Sequence, residues 1–304
     1  MNISVIIPAH NAENYIRTAI ESCLAQTYAP HEIIVADDAS TDSTVEIASS
    51  FGSRVRVVRL PENQGPAAAR NEAIKMATGD WLAFLDADDW FLPEKLARQR
   101  QCALENDRAV LVYSGFFTSL NGVESPARFN PPTTLWPMLR YRCAFHIGTV
   151  LLRRSVFDAI GGFDRTLRGV EDWDLWIRLA GRYSVRLFAA VPEQLAVYRM
   201  TAGSLSSDAM RMHQRRASLL DRRLLDGTSG LSRALWRRWI SAFQHYDVAL
   251  ALREEGSHSD LHYLAKSFAF WPFPGATIPA RRYKVMAAML QQHLLRHQVP
   301  HLNK

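Results

Sequence analysis

Short apolar runs alternate with segments of helical spacing along the first part of the chain. The apolar runs predict strands over 3–7, 31–36, 55–60, 81–85 and 109–114, and the spacing between them predicts helices over 12–26, 43–50, 63–77 and 94–106. Strands that alternate with helices in this way form βαβ units with right-handed crossovers. We therefore predict an α/β fold, with a Rossmann-like, mostly parallel sheet that carries helices on both faces.

The second part of the chain is predicted to be less regular at first and then helical. Four prolines interrupt Gly115–Arg142, which favours an irregular segment. Strands are expected at 149–152 and 185–191, and between them a helix from Gly169 buries Trp173, Trp176, Ile177 and Ala180 on one stripe. We expect a catalytic domain over 1–205, with a nucleotide half to about 115 and an acceptor half over 116–205, and a helical extension over 206–304.

Composition describes an ordinary globular protein of 304 residues, with 48% hydrophobic and 22% charged residues. The three cysteines have unrelated spacings that match neither a disulfide framework nor a metal knuckle, which suits a reducing compartment. The first residues lack the basic and apolar regions of a secretory signal, and no run approaches the ~20 apolar residues of a membrane span. These observations predict a cytoplasmic protein.

Positive charge is concentrated at the C-terminal end. Residues 1–204 carry 21 Lys and Arg against 23 Asp and Glu, whereas 205–304 carry 15 against 7. Within this part, 281–297 interleaves apolar and basic residues as an amphipathic helix does. The basic helices are a candidate for peripheral contact with the inner face of an anionic membrane; a solvated face, or packing on the protein's own core, is the alternative.

Polar clusters follow three of the predicted strands: Pro8–Asn11, Asp37–Asp42 and Asp86–Asp89. Ligands of parallel α/β sheets bind beyond the carboxyl ends of the strands, so we expect these clusters to converge on one crevice. Asp86, Asp88 and Asp89 crowd like charges together, and a divalent cation would neutralise them. The alternative is a solvated turn that caps the next helix.

Glycine-rich phosphate loops are absent: neither Gly-x-Gly-x-x-Gly nor Gly-x-x-x-x-Gly-Lys-Ser/Thr occurs. A nucleotide bound here would need acidic side chains for its base and ribose and a cation for its phosphates. Glu171 and Asp172 fall in the first turn of a helix, where negative charge is stabilising. They are helix-capping residues on one interpretation, and on the other Asp172 is a general base.

Taken together, five motifs resemble the family 2 glycosyltransferases of the GT-A fold in order and approximate spacing. These are Pro8-Ala9-His10-Asn11, Asp37-Asp38-Ala39-Ser40-Thr41-Asp42, Asn63-Gln64-Gly65 with Ala69-Arg70-Asn71, Asp86-Ala87-Asp88-Asp89 and Glu171-Asp172. The resemblance covers about 1–205. It implies an enzyme that moves a sugar, with inversion, from a nucleoside-diphosphate sugar to an acceptor hydroxyl, as in the synthesis of cell-surface polysaccharide or lipid-linked glycan.

The same resemblance implies roles for individual residues. The nucleobase would be held by Pro8, Ala9, His10 and Asn11, together with Asp37 or Asp38. Arg70 would lie near the base or diphosphate, or would lock its helix onto the strand ends. Asp86, beside Ala87, would bind ribose, Asp88 would ligate Mg²⁺ or Mn²⁺, and Asp172 would be the catalytic base. Many relatives have a histidine where this chain has Thr201, which leaves Arg199 to contact the diphosphate. The donor base is expected to be uridine or deoxythymidine, with guanosine as an alternative, and the acceptor a glycan or a lipid-linked glycan.

Two other functional classes remain open at this point. A metal-dependent nucleotidyltransferase would use the same carboxylates but would release pyrophosphate instead of a nucleoside diphosphate. A nucleic-acid-binding module acting through the basic C-terminal part would bind in a strongly salt-dependent way. The acidic crevice has no use in such a module, so we expect an enzyme that does not bind nucleic acid.

Overall fold

The computed structural model describes residues 1–127, 129–132, 143, 145–200, 209–219, 222–223, 230–254 and 259–271. The predicted amphipathic helix over 281–297 and Thr201 lie outside these residues. The chain divides into two compact units, Met1–Ser207 and Asp208–Lys304.

The first unit is built on one sheet, in which nine strands are described. They are β1 (Ile3–Ala9), β2 (Glu32–Asp37), β3 (Arg56–Arg59), β4 (Trp81–Phe84), β5 (Trp90–Phe91), β6 (Leu111–Leu120), β7 (Val123–Pro126), β8 (Val150–Arg153) and β9 (Phe188–Met200). Its helices are α1 (Ile16–Leu24), α2 (Thr44–Ser49), α3 (Pro66–Met76), α4 (Lys95–Glu105), α5 (Arg154–Ile160) and α6 (Glu171–Arg182).

The strand order is β3-β2-β1-β4-β8-β6-β9-β5, with β7 paired to β6. The first four strands run parallel and contain the predicted βαβ units, which confirms the α/β fold class. The strand predicted at 109–114 does not follow β4 in the sheet. Strand β8 lies between β4 and β6 and is antiparallel to both, while β6 and β9 are parallel to each other.

The two faces of the parallel strands pack against different helices because side chains alternate along a strand. Ile3, Val5 and Ile7 share one apolar core with α1 and α4. Helix α3 packs against β1 and β2 without contributing to that core. Its start is fixed by Gly65, whose φ of 89° is costly for other residues, followed by Pro66, whose missing N–H costs nothing at the first helical position.

The prediction of an irregular segment from Gly115 was wrong for its first part. Strand β6 continues to Leu120 and turns back into β7 through Asn121 and Gly122, whose φ angles of 52° and 81° suit a tight hairpin turn. The Asn-Gly pair was a usable sequence signal. At Gly115 the pairing with β9 shifts register, and a Cβ there would lie 3.1 Å from the Glu193 carbonyl oxygen.

Two further element boundaries differ from the prediction. The helix expected from residue 12 begins at Ile16, since Ala12 accepts the amides of Tyr15 and Ile16 in a preceding turn. The strand expected at 185–191 begins at Phe188 after one turn of 3₁₀ helix and continues to Met200, carrying Arg199 to the edge of the site.

In the second unit, the described residues form three helices, α7 (Ala209–Leu219), α8 (Gly230–Glu254) and α9 (Asp260–Phe270). Helices α8 and α9 pack through Tyr246, Ala249 and Leu264, and the Ser267 hydroxyl donates to the Ala242 carbonyl at 2.7 Å. None of the helices in the described parts of the chain is both long and apolar enough to cross a membrane.

Candidate functional site

The polar clusters after β1 and β2 meet, as the sheet topology predicts. The Asp38 amide donates to the Ala9 carbonyl at 2.7 Å, and a ring nitrogen of His10 lies 2.8 Å from the Asp38 carbonyl. Asn11 joins the same loop, because its amide donates to the Ser40 hydroxyl and its side-chain oxygen accepts the Thr41 amide, both at 2.9 Å. Hydrogen bonds thus hold the two strand ends together as one wall of a crevice.

The loop after β2 contains an alanine in an unfavourable backbone conformation. Ala39 has a φ of 56° and Asn11, opposite it, has 48°. Asparagine tolerates this left-handed region, but alanine does not. Strain of this kind persists where the surrounding contacts fix the backbone, and it is typical of binding sites.

Asp37 and Asp38 already have structural partners. Asp37 is fully buried, and its Oδ2 accepts the Ser40 amide at 3.1 Å and lies 3.3 Å from Arg59 Nε. Asp38 is 3% exposed and accepts the amides of Gln64 and Gly65 at 2.8 and 2.7 Å. Both aspartates therefore shape the wall. Their contact with a nucleobase stays a prediction.

Arg70 joins the end of β4 to the start of α6. Its guanidinium is 4% exposed and donates to Asp86 at 2.6 Å and to Glu171 at 2.8 Å. Burial alone would raise the pKa of Asp86, but the charge of Arg70 outweighs it and leaves that pKa below its usual range. Of the roles expected for Arg70, this geometry matches the one that locks α3 onto the strand ends.

The acidic strand end carries unfavourable negative charge. Burial, and then the charge of Asp86, raise the pKa of Asp88 to about 6. Burial and both neighbouring aspartates raise the pKa of Asp89 well above its usual range, and this residue is 2% exposed. A divalent cation would relieve this repulsion, because carboxylate oxygens are the ligands that Mg²⁺ and Mn²⁺ prefer. The carboxylate oxygens of these aspartates are therefore suitable ligands for the expected metal.

His146 lies beside these carboxylates and was missed by the sequence analysis. Asp86, Asp89 and His146 each place one potential ligand atom within 4.8 Å of the others, and Asp88, the predicted ligand, is not in this group. His146 precedes β8 in a stretch that carries no motif, so no signal pointed to it. The assignment of Asp88 to the metal stays a prediction.

Arg199 is held by aromatic rings and by the acidic strand end. Its guanidinium carbon lies 5.1 Å from the ring centre of Tyr15 and 4.7 Å from that of Trp90. Its Nε donates to the Asp88 carbonyl at 2.8 Å, and its amide donates to Asp89 Oδ1 at 2.8 Å. These two hydrogen bonds use the backbone amide and Nε of Arg199. They hold its guanidinium beside the acidic strand end.

Helix α6 places Glu171 and Asp172 at its start. Glu171 accepts hydrogen bonds from the Gly169 amide, at 2.5 Å, and from Arg70. Asp172 Oδ1 accepts the Trp173 amide at 2.6 Å, and Asp172 Oδ2 lies 3.8 Å from Cys143 Sγ. Burial, and then the charge of Glu171, raise the pKa of Asp172 to about 7. A carboxyl group with this pKa exchanges its proton near neutral pH, as a general base must.

The buried stripe of α6 differs in part from the prediction. Trp173 and Trp176 are buried as expected, but Leu175 and Leu179 complete the stripe, while Ile177 and Ala180 are half-buried. Asp174, which the sequence analysis did not single out, is fully buried and binds Arg178 at 2.7 Å. This ion pair and the two tryptophans anchor the helix that carries Asp172.

The comparisons with known proteins identify the family of the chain. The family model described as glycosyl transferase family 2 matches residues 4–166, and a second model, glycosyltransferase like family 2, matches 142–250. An uncharacterized glycosyltransferase of Rickettsia typhi is 36% identical over 186 residues, which are 58% of this chain and 58% of the relative. The chain thus spans little more than half the length of that relative.

A relative from Escherichia coli has an assigned activity. It is the UDP-Glc:alpha-D-GlcNAc-diphosphoundecaprenol beta-1,3-glucosyltransferase WfaP, 30% identical over 220 residues, which are 72% of this chain and 85% of the relative.

Two solved structures share the fold. Residues 1–349 of TarS from S. aureus, in complex with UDP, give a TM-score of 0.62 at 18% identity, covering 100% of this chain and 94% of that one. The mannosyltransferase PcManGT from Pyrobaculum calidifontis, in complex with GDP-Man and Mn²⁺, gives 0.61 at 20% identity, covering 97% and 86%. The family match, the Escherichia coli relative and the shared fold lead to one conclusion: the chain belongs to glycosyl transferase family 2 and has the GT-A fold.

Proposed function

We propose that this chain transfers a sugar, with inversion, from a nucleoside-diphosphate sugar to a hydroxyl group of a lipid-linked glycan. The observation that carries the proposal is the position of Arg70, which binds Asp86 on the donor side and Glu171 on the acceptor side. The proposal is supported by this guanidinium because it joins the segment that carries Asp88 to the start of the helix that carries Asp172.

Uridine is the proposed donor base, and a diphosphate-linked glycan is the proposed acceptor. The Escherichia coli relative is named for a UDP-Glc donor and a diphosphoundecaprenol-linked acceptor, and the TarS neighbour was crystallised with UDP. In the proposed complex the base lies against Pro8, Ala9, His10 and Asn11, with Asp38 behind them and Asp86 near the ribose. His10 and Asn11 are exposed there, and the hydrogen bonds of His10 to the Asp38 carbonyl and of Asn11 to the Thr41 amide hold their side chains in place.

Asp88, with Asp86 near it, would hold a divalent cation. Mg²⁺ or Mn²⁺ supplies Lewis-acid stabilisation of the diphosphate that leaves. Mn²⁺ is present in the PcManGT complex. Burial, and then the charge of Asp86, raise the pKa of Asp88 to about 6, and a metal ligand must be deprotonated, so metal binding at this site should be tighter above that pH than below it.

The chemistry proposed for the protein side chains is a single displacement. Asp172 takes the proton of the acceptor hydroxyl, and the oxygen attacks the anomeric carbon on the face opposite the diphosphate. The bond from that carbon to the phosphate oxygen breaks, and its electron pair stays on the phosphate, where Arg199 offers positive charge. One displacement inverts the configuration at that carbon.

Calorimetric titration with UDP, dTDP and GDP tests the donor half of the proposal. Each nucleotide is titrated with Mn²⁺, with Mg²⁺ and with a chelator, on the full chain. Tight binding of UDP that requires the metal is the expected result. Preference for GDP would correct the base, and the absence of binding by all three would overturn the proposed function.

We further propose that the second unit contacts an anionic lipid surface through the first turns of α8. Leu231 and Leu235 are 76% and 45% exposed, one helical turn apart, and Arg238 is exposed on the same face of the helix. Exposed leucines beside an arginine suit the boundary between acyl chains and phosphate headgroups. Such contact would bring the enzyme to a lipid-linked acceptor.

Sedimentation with vesicles tests this contact. The double substitution Leu231→Ser with Leu235→Ser should reduce the bound fraction on vesicles that contain phosphatidylglycerol. Leu120→Ser is a matched control, because Leu120 is 53% exposed but belongs to the first unit. Equal binding of the double variant and the unsubstituted protein would exclude α8 as the contact.

A further inference from the structure

The hydrogen bonding of His146 defines which ring nitrogen carries the proton. The Gly148 amide donates to His146 Nδ1 at 3.1 Å, so Nδ1 is an acceptor. In a neutral imidazole the other nitrogen then bears the hydrogen. Nε2 is therefore an N–H donor and has no lone pair for a metal ion.

The group that faces this donor is a buried carboxylate oxygen. His146 Nε2 lies 3.7 Å from Asp89 Oδ2, an atom that is buried without a hydrogen-bond partner among the described residues. A movement of under 1 Å would close this gap to a hydrogen bond. Gly148 makes room for the pair, because a Cβ there would lie 3.1 Å from His146 Nδ1 and 4.0 Å from Asp89 Oδ2.

The other oxygen of Asp89 connects this pair to the donor site. Asp89 Oδ1 accepts the Arg199 amide at 2.8 Å, and Arg199 Nε donates to the Asp88 carbonyl at 2.8 Å. The ring of His146 is itself fixed between Phe116 and Tyr198, with ring centres 5.6 and 4.6 Å away. The fixed imidazole of His146 thus lies against Asp89. Asp89 in turn binds the backbone of Arg199, whose side chain binds the Asp88 carbonyl.

We propose that His146 is a positioning residue for donor binding: its Nε2–H orients Asp89, which in turn fixes Arg199 and Asp88. It is not a metal ligand, although it lies in the same cluster as Asp86 and Asp89. This inference rests on the proposed function, since it assigns Asp88 and Arg199 to the metal and the diphosphate. It predicts that the hydrogen-bond donor at position 146 matters more than the aromatic ring.

Two substitutions separate the effect of the N–H hydrogen-bond donor from the effect of the aromatic ring. His146→Gln keeps an N–H near the position of Nε2 but loses the ring, and His146→Phe keeps the ring but loses the donor. We expect His146→Phe to raise the Kd for UDP with Mn²⁺ and the KM for the sugar donor about tenfold, as leaving one buried acceptor without its donor implies. Turnover at saturating donor should change less, and His146→Gln should restore donor affinity to within about threefold.

His31→Gln is the matched control, since His31 is exposed at the start of β2, away from the carboxyl ends of the strands. Equal impairment of His146→Gln and His146→Phe, in variants with unchanged thermal stability, would contradict the donor role.

Nitrogen-15 NMR of the histidine rings tests the proton position without any nucleotide. The His146 signal, assigned by its absence from His146→Gln, should show a protonated Nε2 and an unprotonated Nδ1, before and after addition of Mg²⁺. A proton on Nδ1 in the presence of Mg²⁺ would make His146 a metal ligand and overturn the inference. Because this result does not depend on nucleotide binding, failure of the proposed function remains distinguishable from failure of the inference.

Discussion

Arg70 and Glu171 form a buried ion pair between residues 101 positions apart in the chain. Arg70 Nη1 lies 2.8 Å from Glu171 Oε1, and the two side chains are 4% and 5% exposed. The same guanidinium binds Asp86 at 2.6 Å, so one cation neutralises carboxylates from two segments of the fold. Such a group is costly to remove, because buried charges would be left without a partner.

Arg70→Leu should therefore reduce the free energy of unfolding by about 3–5 kcal/mol. The loss should be smaller at pH 2 than at pH 7. Arg70 keeps the pKa of Asp86 below its usual range, so its stabilisation is present above the ordinary pKa of that carboxyl and disappears as pH falls through the folded-state value. Urea denaturation at the two pH values measures both effects.

Arg165→Leu is the control for this variant. Arg165 pairs with Glu72 at 2.6 Å, but the two side chains are 44% and 31% exposed, and exposed pairs contribute at most about 1 kcal/mol. A loss for Arg70→Leu no larger than that of the control would show that the buried pair does not stabilise the fold.

The sequence predicted the parallel half of the sheet because its signals are local. Short apolar runs mark β1, β2 and β4, and the polar clusters follow directly after them. Strand β8 could not be placed between β4 and β6 in this way, since insertion of a strand depends on pairing between distant segments. Asn121-Gly122 was a local signal that the prediction overlooked.

The same distinction applies to the site. The acidic residues were recognised because they are adjacent in sequence at Asp86 to Asp89 and at Glu171 and Asp172. His146 and the aromatic contacts of Arg199 with Tyr15 and Trp90 arise only when separate segments fold together. The fixed partners of Asp37 and Asp38 were likewise invisible, because sequence shows a carboxylate but not whether its lone pairs are already used.

Asp172→Asn should reduce turnover by a factor of about 10² to 10⁴ and leave UDP binding unchanged, since an amide cannot accept the proton of the acceptor. The turnover of the unsubstituted enzyme should rise with pH through about 7, where the Asp172 carboxyl loses its proton. Rates of UDP release from pH 5.5 to 8.5 measure this. Asp158→Asn, at a carboxyl that is 62% exposed, is the control. Turnover of Asp172→Asn near that of the control would leave Asp172 as a helix-capping residue.

Asp172→Asn should also make the protein more stable at pH 8. The pKa of Asp172 is raised in the folded state, so the folded protein binds an extra proton between the ordinary value and about 7. Stability falls as pH rises through that window, and the ionised carboxylate is a cost above it. Thermal unfolding of the variant should occur at a higher temperature at pH 8 and show a smaller difference at pH 4. A lower unfolding temperature at pH 8 would contradict the raised pKa.

Ala39→Gly should stabilise the protein by about 0.5–1 kcal/mol. Alanine at a φ of 56° bears a left-handed backbone cost of about 1–2 kcal/mol, which exceeds the extra entropy that glycine loses on folding. Ala73→Gly, in the interior of α3, is the control and should destabilise by about 1 kcal/mol or more. Chemical denaturation compares the two. Destabilisation by both glycines would show that the loop at Ala39 carries no strain that glycine relieves.

Lys95→Met should change how stability depends on pH. Lys95 is fully buried in α4, with its ammonium 2.8 Å from Gln99 Oε1 and 4.1 Å from the ring centre of Phe91, and burial lowers its pKa to about 7. Between pH 7 and 10.5 the unfolded chain binds this proton and the folded protein does not, so stability rises with pH across that window. Lys95→Met should not show this rise of stability with pH, although the substitution also removes the hydrogen-bond partner of Gln99. Lys75→Met, at a side chain that is 65% exposed, should keep it. A parallel rise in Lys95→Met and the unsubstituted protein would show that Lys95 remains charged inside the fold.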